Sequence, residues 1–328
     1  MTGAHDGGRM SDLLQIRDLV VEYPVGGGRR VHAVSGVTVA VRKGETLGLV
    51  GESGSGKSSL ARALLQLPPP QGGSVQFDGQ DLTKLGGKAL RAVRPRLQMI
   101  FQDPIASLNP RRRVAEIIAE PLIVCGVADA AERTRRVRAV MEAVGLDPDL
   151  VWNRRPHEFS GGQCQRIAIA RALVLEPSLI VCDEPVSALD VSIRAQILNL
   201  LEDMKARFGL TLLFIAHDLA VVKSVSDRVA VMYLGKLCEV ASSEDLFASP
   251  AHPYTAALMA AIPEPDPDIP LGDTKLMPGD PPSPLDPPSG CRFRTRCPHA
   301  EKRCTSEVPA LREIAPGREV ACHFPLVA

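Results

Sequence analysis

The sequence lacks any long run of apolar residues. A membrane-spanning helix needs about 20 consecutive, mostly apolar residues. The longest candidates here, 210–216 and 219–222, are short and are separated by His217 and Asp218. The first ten residues, MTGAHDGGRM, also lack the apolar core of a secretory signal. We therefore expect a protein that stays in the reducing cytoplasm and does not cross a bilayer by itself.

The chain also lacks net charge. Its 328 residues include 38 Lys and Arg and 38 Asp and Glu, so no overall field attracts nucleic acid or an anionic membrane. Hydrophobic residues make up 45% and charged residues 23%, which is typical of a globular protein rather than a disordered or fibrous one. At about 150 residues per domain, this length predicts about two domains. Any charged ligand must be recognised by a local site.

The composition changes near residue 250. Sixteen of the 28 prolines fall from residue 250 onward, and four of the eight cysteines lie in the last 38 residues. Before this point, short apolar runs are typical of buried strands, and the stretches between them have helical periodicity. This alternation predicts an α/β fold with a parallel sheet. The apolar runs span 47–50, 179–182, 211–216 and 229–233.

A glycine-rich loop follows the first of these runs. The segment GESGSGKS at 51–58 matches G-x-x-x-x-G-K-[ST], between a predicted strand and a predicted helix. Such glycines let backbone N–H groups turn inward around phosphate oxygens, and the helix N-terminus adds partial positive charge. We expect Lys57 to reach the β- and γ-phosphates and Ser58 to bind Mg²⁺, whereas the alternative is an ordinary glycine turn. The predicted ATP-binding residues of this segment are Gly51, Ser53, Gly54, Ser55, Gly56, Lys57, Ser58 and Ser59.

Two adjacent carboxylates end the apolar run LIVCDE at 179–184. We expect Asp183 to hold Mg²⁺ through water and to belong to the ATP site. Glu184 faces the other way in a strand, where it can polarise the attacking water as a general base. A strand that ends in Asp-Glu is common, so this interpretation depends on the phosphate-binding loop.

Five further elements carry a resemblance to a known family. The segment FSGGQCQR at 159–166 resembles the signature of ABC-transporter ATPase subunits, and Gln102 matches the family's glutamine loop. SALD at 187–190 resembles the loop that links two ATP sites, and His217 resembles the switch histidine. Tyr23 occupies the aromatic position that stacks on adenine. Each element also has a purely structural alternative. Tyr23 can be a half-buried strand residue, His217 a core histidine and 160–162 a capped glycine turn.

The resemblance covers about residues 12 to 245 and implies a fold and a set of roles. The implied fold is an α/β P-loop (RecA-like) nucleotide-binding core with a helical subdomain at about 103–165. Glu184, His217 and Gln102 are implied as catalytic, with Gln102 also near Mg²⁺. The signature is implied to contact ATP held by a second ATPase subunit, so the working unit is a dimer. The residues implied to reach that partner's ATP are Ser160, Gly161, Gly162, Gln163 and Asp190.

Two segments narrow the resemblance to ATPases of oligopeptide and dipeptide importers. These are QDPIASLNP at 102–110 and LFASPAHPYTAAL at 246–258. The implied function is ATP hydrolysis that energises peptide import, at the cytoplasmic face of the membrane. Two transmembrane permease subunits, an extracytoplasmic substrate-binding protein and a second ATPase, identical or different, are the implied partners, with no nucleic acid.

Two other functions stay open from the sequence. The same machinery can import nickel or another small solute, because the binding protein sets selectivity. A soluble ABC ATPase without a permease is the second alternative. Proteins of that kind carry a long coiled-coil insertion or tandem ATPase units, whereas this chain has one set of motifs and no heptad array.

The last four cysteines have the spacing C-x5-C-x6-C-x17-C, which matches neither a zinc ribbon nor a ferredoxin run. They lie in a Pro/Cys-rich C-terminal extension, 246–328, that follows an ATPase domain predicted at 1–245. Resemblance to the peptide-importer ATPases implies a [4Fe-4S] cluster. Zinc, with His299 or His323, is the alternative, and free thiols are the third. The implied cluster ligands are Cys291, Cys297, Cys304 and Cys322.

Overall fold

The central feature of the fold is an eight-stranded sheet in the order β11-β12-β10-β9-β3-β8-β7-β6, seen in a computed structural model that describes residues 11–261 and 279–327. A second sheet has the order β2-β1-β4-β5. The strands are β1 Asp12–Val25, β2 Arg29–Arg42, β3 Thr46–Val50, β4 Gly72–Phe77, β5 Gln80–Asp81, β6 Leu97–Ile100, β7 Leu179–Asp183, β8 Thr211–Ile215, β9 Arg228–Tyr233, β10 Lys236–Ser242, β11 Arg312–Ala315 and β12 Arg318–Val320.

Helices cover the main sheet and fill the connections between its strands. Among the described residues, no helix is both long and apolar enough to span a membrane. The helices are α1 Lys57–Leu64, α2 Gly87–Val93, α3 Pro104–Ser107, α4 Val114–Val124, α5 Ala130–Ala143, α6 Pro148–Val151, α7 Gly161–Leu173, α8 Val191–Phe208, α9 Leu219–Val225, α10 Ser243–Ala248, α11 Pro253–Ala260 and α12 Lys302–Ser306.

The predicted α/β class is confirmed, because all four apolar runs are strands of the main sheet. They form β3, β7, β8 and β9, and β3 pairs in parallel with both β8 and β9. Strand β7 continues the parallel pairing to β8 and to β6. Every residue of β3, β7 and β8 is buried, as expected for a parallel sheet covered on both faces. The carboxyl ends of these strands define one edge, where the loop residues of the candidate site lie.

Helices α3 to α7 lie between β6 and β7, where the resemblance placed a helical subdomain at 103–165. Their apolar side chains, among them Ile118, Val137, Met141 and Ile167, share one core with β7 and β8. Helix α7 continues to Leu173, past the expected end of the subdomain. Buried side chains of α7 belong to the core that the helices share with β7 and β8, so α7 packs against both the helical subdomain and the main sheet.

The C-terminal extension adds two strands to the main sheet. Strand β12 pairs antiparallel with β10, with Glu239 opposite Val320, and β11 pairs with β12. The sequence did not predict these strands. The segment 263–288 is rich in proline and aspartate, and its part up to 278 lies outside the described residues, as do the first ten residues of the chain. The sheet thus contains strands from both sides of the boundary placed at 245.

Candidate active site

The loop at 51–58, here called the phosphate loop, connects β3 to α1. Gly51 and Gly56 have φ values of 153° and 106°, which side chains rarely adopt. A Cβ on Gly51 would lie 2.0 Å from the Met232 carbonyl oxygen, and one on Gly56 would lie 2.1 Å from that of Ala33. Only glycine therefore fits at these two positions. Helix α1 begins at Lys57 and presents its N-terminal N–H groups toward the loop.

The ammonium group of Lys57 lies inside the loop. Its Nζ donates to the carbonyl oxygens of Gly51 at 2.8 Å and Glu52 at 3.0 Å. Burial lowers the pKa of Lys57, while the charges of Glu184, Asp183 and Glu52 act in the opposite direction. These neighbours keep a cation at the centre of the loop, where it can meet the phosphates of a nucleotide.

Asp183 ends β7 directly beside the loop. The Ser58 hydroxyl donates to Asp183 Oδ1 at 2.8 Å. Burial raises the pKa of Asp183, and the Ser58 hydrogen bond lowers it. A hydroxyl and a carboxylate at this separation are oxygen donors of the kind that Mg²⁺ binds. Ser58 and Asp183 therefore fit a magnesium site at the start of α1.

Glu184 holds the centre of a second group, on the side opposite Asp183. Its Oε2 accepts a hydrogen bond from Gln102 Nε2 at 2.9 Å and lies 3.3 Å from His217 Nδ1. The backbone of Glu184 has φ +50°, and its N–H donates to the Ile215 carbonyl oxygen at 3.0 Å. A left-handed conformation in a non-glycine residue is strained, and such strain is concentrated at functional sites. Two side chains, from two other loops, thus converge on one carboxylate oxygen of Glu184.

A cleft of about 480 Å³ joins these groups. Its lining includes Tyr23, Val31 and Ala33 together with residues of the phosphate loop. Pro284 of the C-terminal extension, to which no motif of the sequence pointed, lines the same cleft. Its carbonyl oxygen accepts a hydrogen bond from the His32 N–H at 3.0 Å. The cleft has the parts needed for a base at one end and phosphates at the other.

The predicted signature residues lie apart from this cleft. Ser160 caps α7, since its hydroxyl accepts from the Gln163 N–H at 3.4 Å while Gln163 Oε1 accepts from the Ser160 N–H at 3.0 Å. Gly162 allows α7 to approach α8 closely, because a Cβ there would lie 2.5 Å from Ile193 Cγ2. Within the described part of the chain, the cleft lining includes none of Ser160, Gly161, Gly162, Gln163 and Asp190. Ser160, Gln163 and Asp190 are exposed.

The four late cysteines line one small cavity in the C-terminal extension. His252, Phe293, His299, His323 and Phe324 are among the other residues of its lining. Burial raises the pKa of Cys297 to about 11 and also raises the pKa values of Cys291 and Cys322. Across residues 11–261 and 279–327, no group of three or more His, Cys, Asp or Glu side chains is arranged to hold a single metal ion.

Three residues near the phosphate loop were not predicted as parts of the site. The carboxylate of Glu52 forms an ion pair with Arg296, and its backbone N–H donates a hydrogen bond to the hydroxyl of Tyr254. Tyr254 lies in the segment LFASPAHPYTAAL that marks the family resemblance, which is the one signal in the sequence that could have pointed to it. Arg296 has no such signal, since it lies 244 residues from Glu52.

Comparison with protein families gives two matches along the chain. The model for the ABC transporter family matches residues 34–187, and that for the oligopeptide/dipeptide transporter C-terminal region matches residues 238–304. The oligopeptide transport ATP-binding protein OppF of Escherichia coli strain K12 is 54% identical over 309 residues, covering 91% of this chain and 92% of that protein. OppF of Salmonella typhimurium strain LT2 is 53% identical with the same coverage.

Solved structures with this fold are ATP-binding cassettes. CbiO1 from Clostridium perfringens, part of the ABC transporter complex cbiONQ, has a TM-score of 0.64 and 27% identity over 72% of this chain and 91% of that one. The cassette MJ0796, dimeric in a post-hydrolysis state with ADP and phosphate, has a TM-score of 0.64 and 28% identity. That match covers 70% of this chain and 98% of the cassette.

Proposed function

This chain belongs to the ABC transporter family, among the ATP-binding subunits of oligopeptide and dipeptide transporters, and from that premise we propose how its residues carry out the work. It is an ATPase that energises the import of peptides. The observation that carries the assignment of roles is the convergence of Gln102 and His217 on the carboxylate of Glu184, next to the phosphate loop.

The cleft receives ATP with its base on Tyr23 and its phosphates in the phosphate loop. Lys57 binds the β- and γ-phosphates, while Ser58 and Asp183 hold Mg²⁺, which neutralises phosphate charge. Gln102 also faces this site, although its amide is directed at Glu184 rather than at Asp183. The other loop residues in contact with nucleotide are Gly51, Ser53, Gly54, Ser55, Gly56 and Ser59.

Glu184 acts as the general base that takes a proton from the attacking water. Gln102 and His217 orient its carboxylate, and His217, which lines the cleft, contacts the γ-phosphate. The left-handed backbone of Glu184 fits this role. It fixes the direction of the carboxylate at a cost in local stability, as is typical of strained residues at functional sites.

A second ATPase subunit completes the site. Ser160, Gly161, Gly162, Gln163 and Asp190 contact the ATP of that partner. Ser160, Gln163 and Asp190 are exposed, and none of the five lines the chain's own cleft among the described residues. The N-terminus of α7 is capped and presents N–H donors, a suitable partner for a γ-phosphate. The dimeric state of the similar MJ0796 cassette supports this arrangement.

Two permease subunits anchor the chain at the cytoplasmic face of the membrane. A cleft of about 620 Å³ between α1, β6 and the helical subdomain offers Leu67, Phe101 and Pro121 among its lining residues. Leu67 and Phe101 are 48% and 39% exposed, and Ile105 beside them is 59% exposed, which suits a protein interface. An extracytoplasmic binding protein delivers the peptide, and nothing in this fold contacts it.

The four late cysteines hold a [4Fe-4S] cluster as a structural cross-link. Four thiols on one partly apolar cavity are the donor set of such a cluster. A single zinc ion needs sulfur ligands at about 2.3 Å, arranged tetrahedrally around it. The described residues include no group of three or more His, Cys, Asp or Glu side chains arranged to hold one metal ion. Anaerobically purified protein is expected to be brown, with labile sulfide and broad absorbance near about 400 nm. Colourless protein with stoichiometric zinc would contradict the cluster.

Glu184→Gln tests the assigned chemistry. Removal of the base should lower ATP turnover by about a hundredfold or more, while ATP binding persists and the closed dimer accumulates. Turnover is measured by phosphate release, binding by titration with Mg-ATP, and dimer formation by size-exclusion chromatography with ATP.

Lys57→Ala is the matched control, because it should weaken ATP binding itself. With the permeases co-expressed, uptake of a labelled peptide should be lost in both variants. Full turnover by the Glu184→Gln variant would refute the role of Glu184. Peptide uptake that is unaffected by either variant would refute the transport function.

A further inference from the structure

Two side chains of the C-terminal extension contact Glu52 of the phosphate loop. The Nη1 atom of Arg296 lies 2.8 and 3.1 Å from the two carboxylate oxygens of Glu52. The hydroxyl of Tyr254 accepts a hydrogen bond from the Glu52 N–H at 2.9 Å. Arg296 is only 6% exposed and Glu52 is 22% exposed, so water screens this ion pair weakly. Both the side chain and the backbone of Glu52 are thus held from outside the loop.

The backbone of Glu52 also holds the inside of the loop. Its carbonyl oxygen accepts from Lys57 Nζ at 3.0 Å and from the Ser55 N–H at 3.1 Å. A shift of Glu52 would therefore move the ammonium group and the first turn of the loop together. The extension is in a position to set the geometry of the groups that meet phosphate.

Charge gives Arg296 a second effect on this loop. The carboxylate of Glu52 adds a negative charge to the loop whose carbonyl oxygens bind Lys57 Nζ. Without Arg296, that carboxylate would repel the phosphates of ATP and compete for Lys57. With Arg296 in place, the pair is neutral and the positive charge of Lys57 stays available to the nucleotide.

We propose that Arg296 and Tyr254 are positioning residues for the phosphate loop, so that the ATP affinity of the cassette depends on the contacts that these two residues of its C-terminal extension make with Glu52. This inference rests on the proposed function, because it concerns the same ATP site. It adds a requirement that the loop motif alone does not contain: the extension neutralises Glu52 and fixes its N–H.

A second ion pair in the extension provides a matched control. Arg318 Nη2 lies 3.1 Å from Glu239 Oε1, with side chains 12% and 0% exposed. This pair also joins the extension to the main sheet, but neither residue contacts the phosphate loop or lines the ATP cleft among the described residues. Loss of this pair tests general loosening of the extension.

The test measures binding of the Mg²⁺ complex of a non-hydrolysable ATP analogue to the full-length chain by calorimetry. Arg296→Met should weaken binding by roughly tenfold, because it exposes the phosphates to an uncompensated carboxylate. The double variant Arg296→Met with Glu52→Gln should recover most of the lost affinity.

Arg318→Met and its double variant with Glu239→Gln should lower thermal stability while the affinity stays within about twofold of wild type. If Arg296→Met does not fold, Arg296→Gln removes the same charge with a polar side chain. Equal losses of affinity in the Arg296 and Arg318 variants, or no rescue by Glu52→Gln, would overturn the positioning role. A wild-type chain that binds no nucleotide would instead overturn the proposed function, and this inference with it.

Discussion

The main sheet and the C-terminal extension are held together by different means. Strands β3, β7 and β8 are buried at every residue and contribute to continuous apolar cores on both faces of the sheet. In the extension, the buried apolar side chains that the structure describes are Leu246, Ala251, Tyr254, Phe293, Cys304, Val320 and Ala321. The extension therefore depends on a few specific contacts, whereas the sheet shares its stability among many.

Because of this difference, the loss of one contact has different consequences in the sheet and in the extension. Loss of one contact in a large core weakens the whole domain, because the domain unfolds cooperatively. Loss of one contact in the extension can release a local unit while the sheet stays folded. The extension contacts the phosphate loop at Glu52. Local detachment of the extension can therefore change nucleotide binding while Glu184 and the side chains around it stay in place.

The largest expected effect compares two phenylalanines, Phe214 in β8 and Phe293 in the extension, both 1% exposed. Replacement of either by alanine removes a buried ring and should cost about 3–5 kcal/mol locally. Phe293 packs against the rings of Tyr233 and Tyr254, each at 5.3 Å between centroids. Phe293→Ala should therefore free the extension alone, whereas Phe214→Ala should destabilise the entire sheet.

Hydrogen exchange distinguishes these two outcomes. In the Phe293→Ala variant, amides of β11 and β12 should exchange faster while those of β3 and β8 keep their protection. In the Phe214→Ala variant, protection should fall in all four strands. Uniform loss of protection in both variants would show that the extension and the sheet form one cooperative unit, and the comparison would then fail.

The contrast also explains what the sequence could predict. The strands of the sheet are continuous apolar runs, and the phosphate loop has a fixed pattern of glycines, so both were found from local sequence. The left-handed backbone of Glu184 and the approach of Gln102 to it depend on three loops brought together by the sheet. The ion pair of Arg296 with Glu52 spans 244 residues and belongs to no periodic pattern, so only the fold reveals it.

A smaller effect concerns acid and the buried His252. Its Nδ1 accepts a hydrogen bond from the Tyr254 N–H at 3.0 Å, which requires an unprotonated nitrogen. Burial lowers the pKa of His252 from 6.5 to about 4. The unfolded chain therefore binds a proton more tightly in this range, and stability present above about pH 6.5 is lost as the pH falls toward about 4. The loss from this group should be about 3 kcal/mol.

Urea denaturation at several pH values measures this loss, with His252→Asn as the control. Asparagine can still accept the Tyr254 N–H at the start of α11 but does not titrate. The variant should therefore have a flatter dependence of unfolding free energy on pH between 4 and 6.5. An unchanged pH dependence would show that His252 does not link acid to the docking of this segment.

The smallest expected effect removes a single oxygen from the boundary between extension and sheet. Tyr254→Phe keeps the ring, which is fully buried and lies 4.6 Å from that of Tyr233, but takes away the acceptor of the Glu52 N–H. An unmade hydrogen bond of this kind costs about 1 kcal/mol, so ATP affinity should fall about fivefold while the thermal midpoint without nucleotide changes little. Titration with the non-hydrolysable analogue measures the first quantity and calorimetric melting the second. A drop in melting temperature with unchanged affinity would place Tyr254 in the packing of the extension alone, and the connection to the phosphate loop would then rest on Arg296.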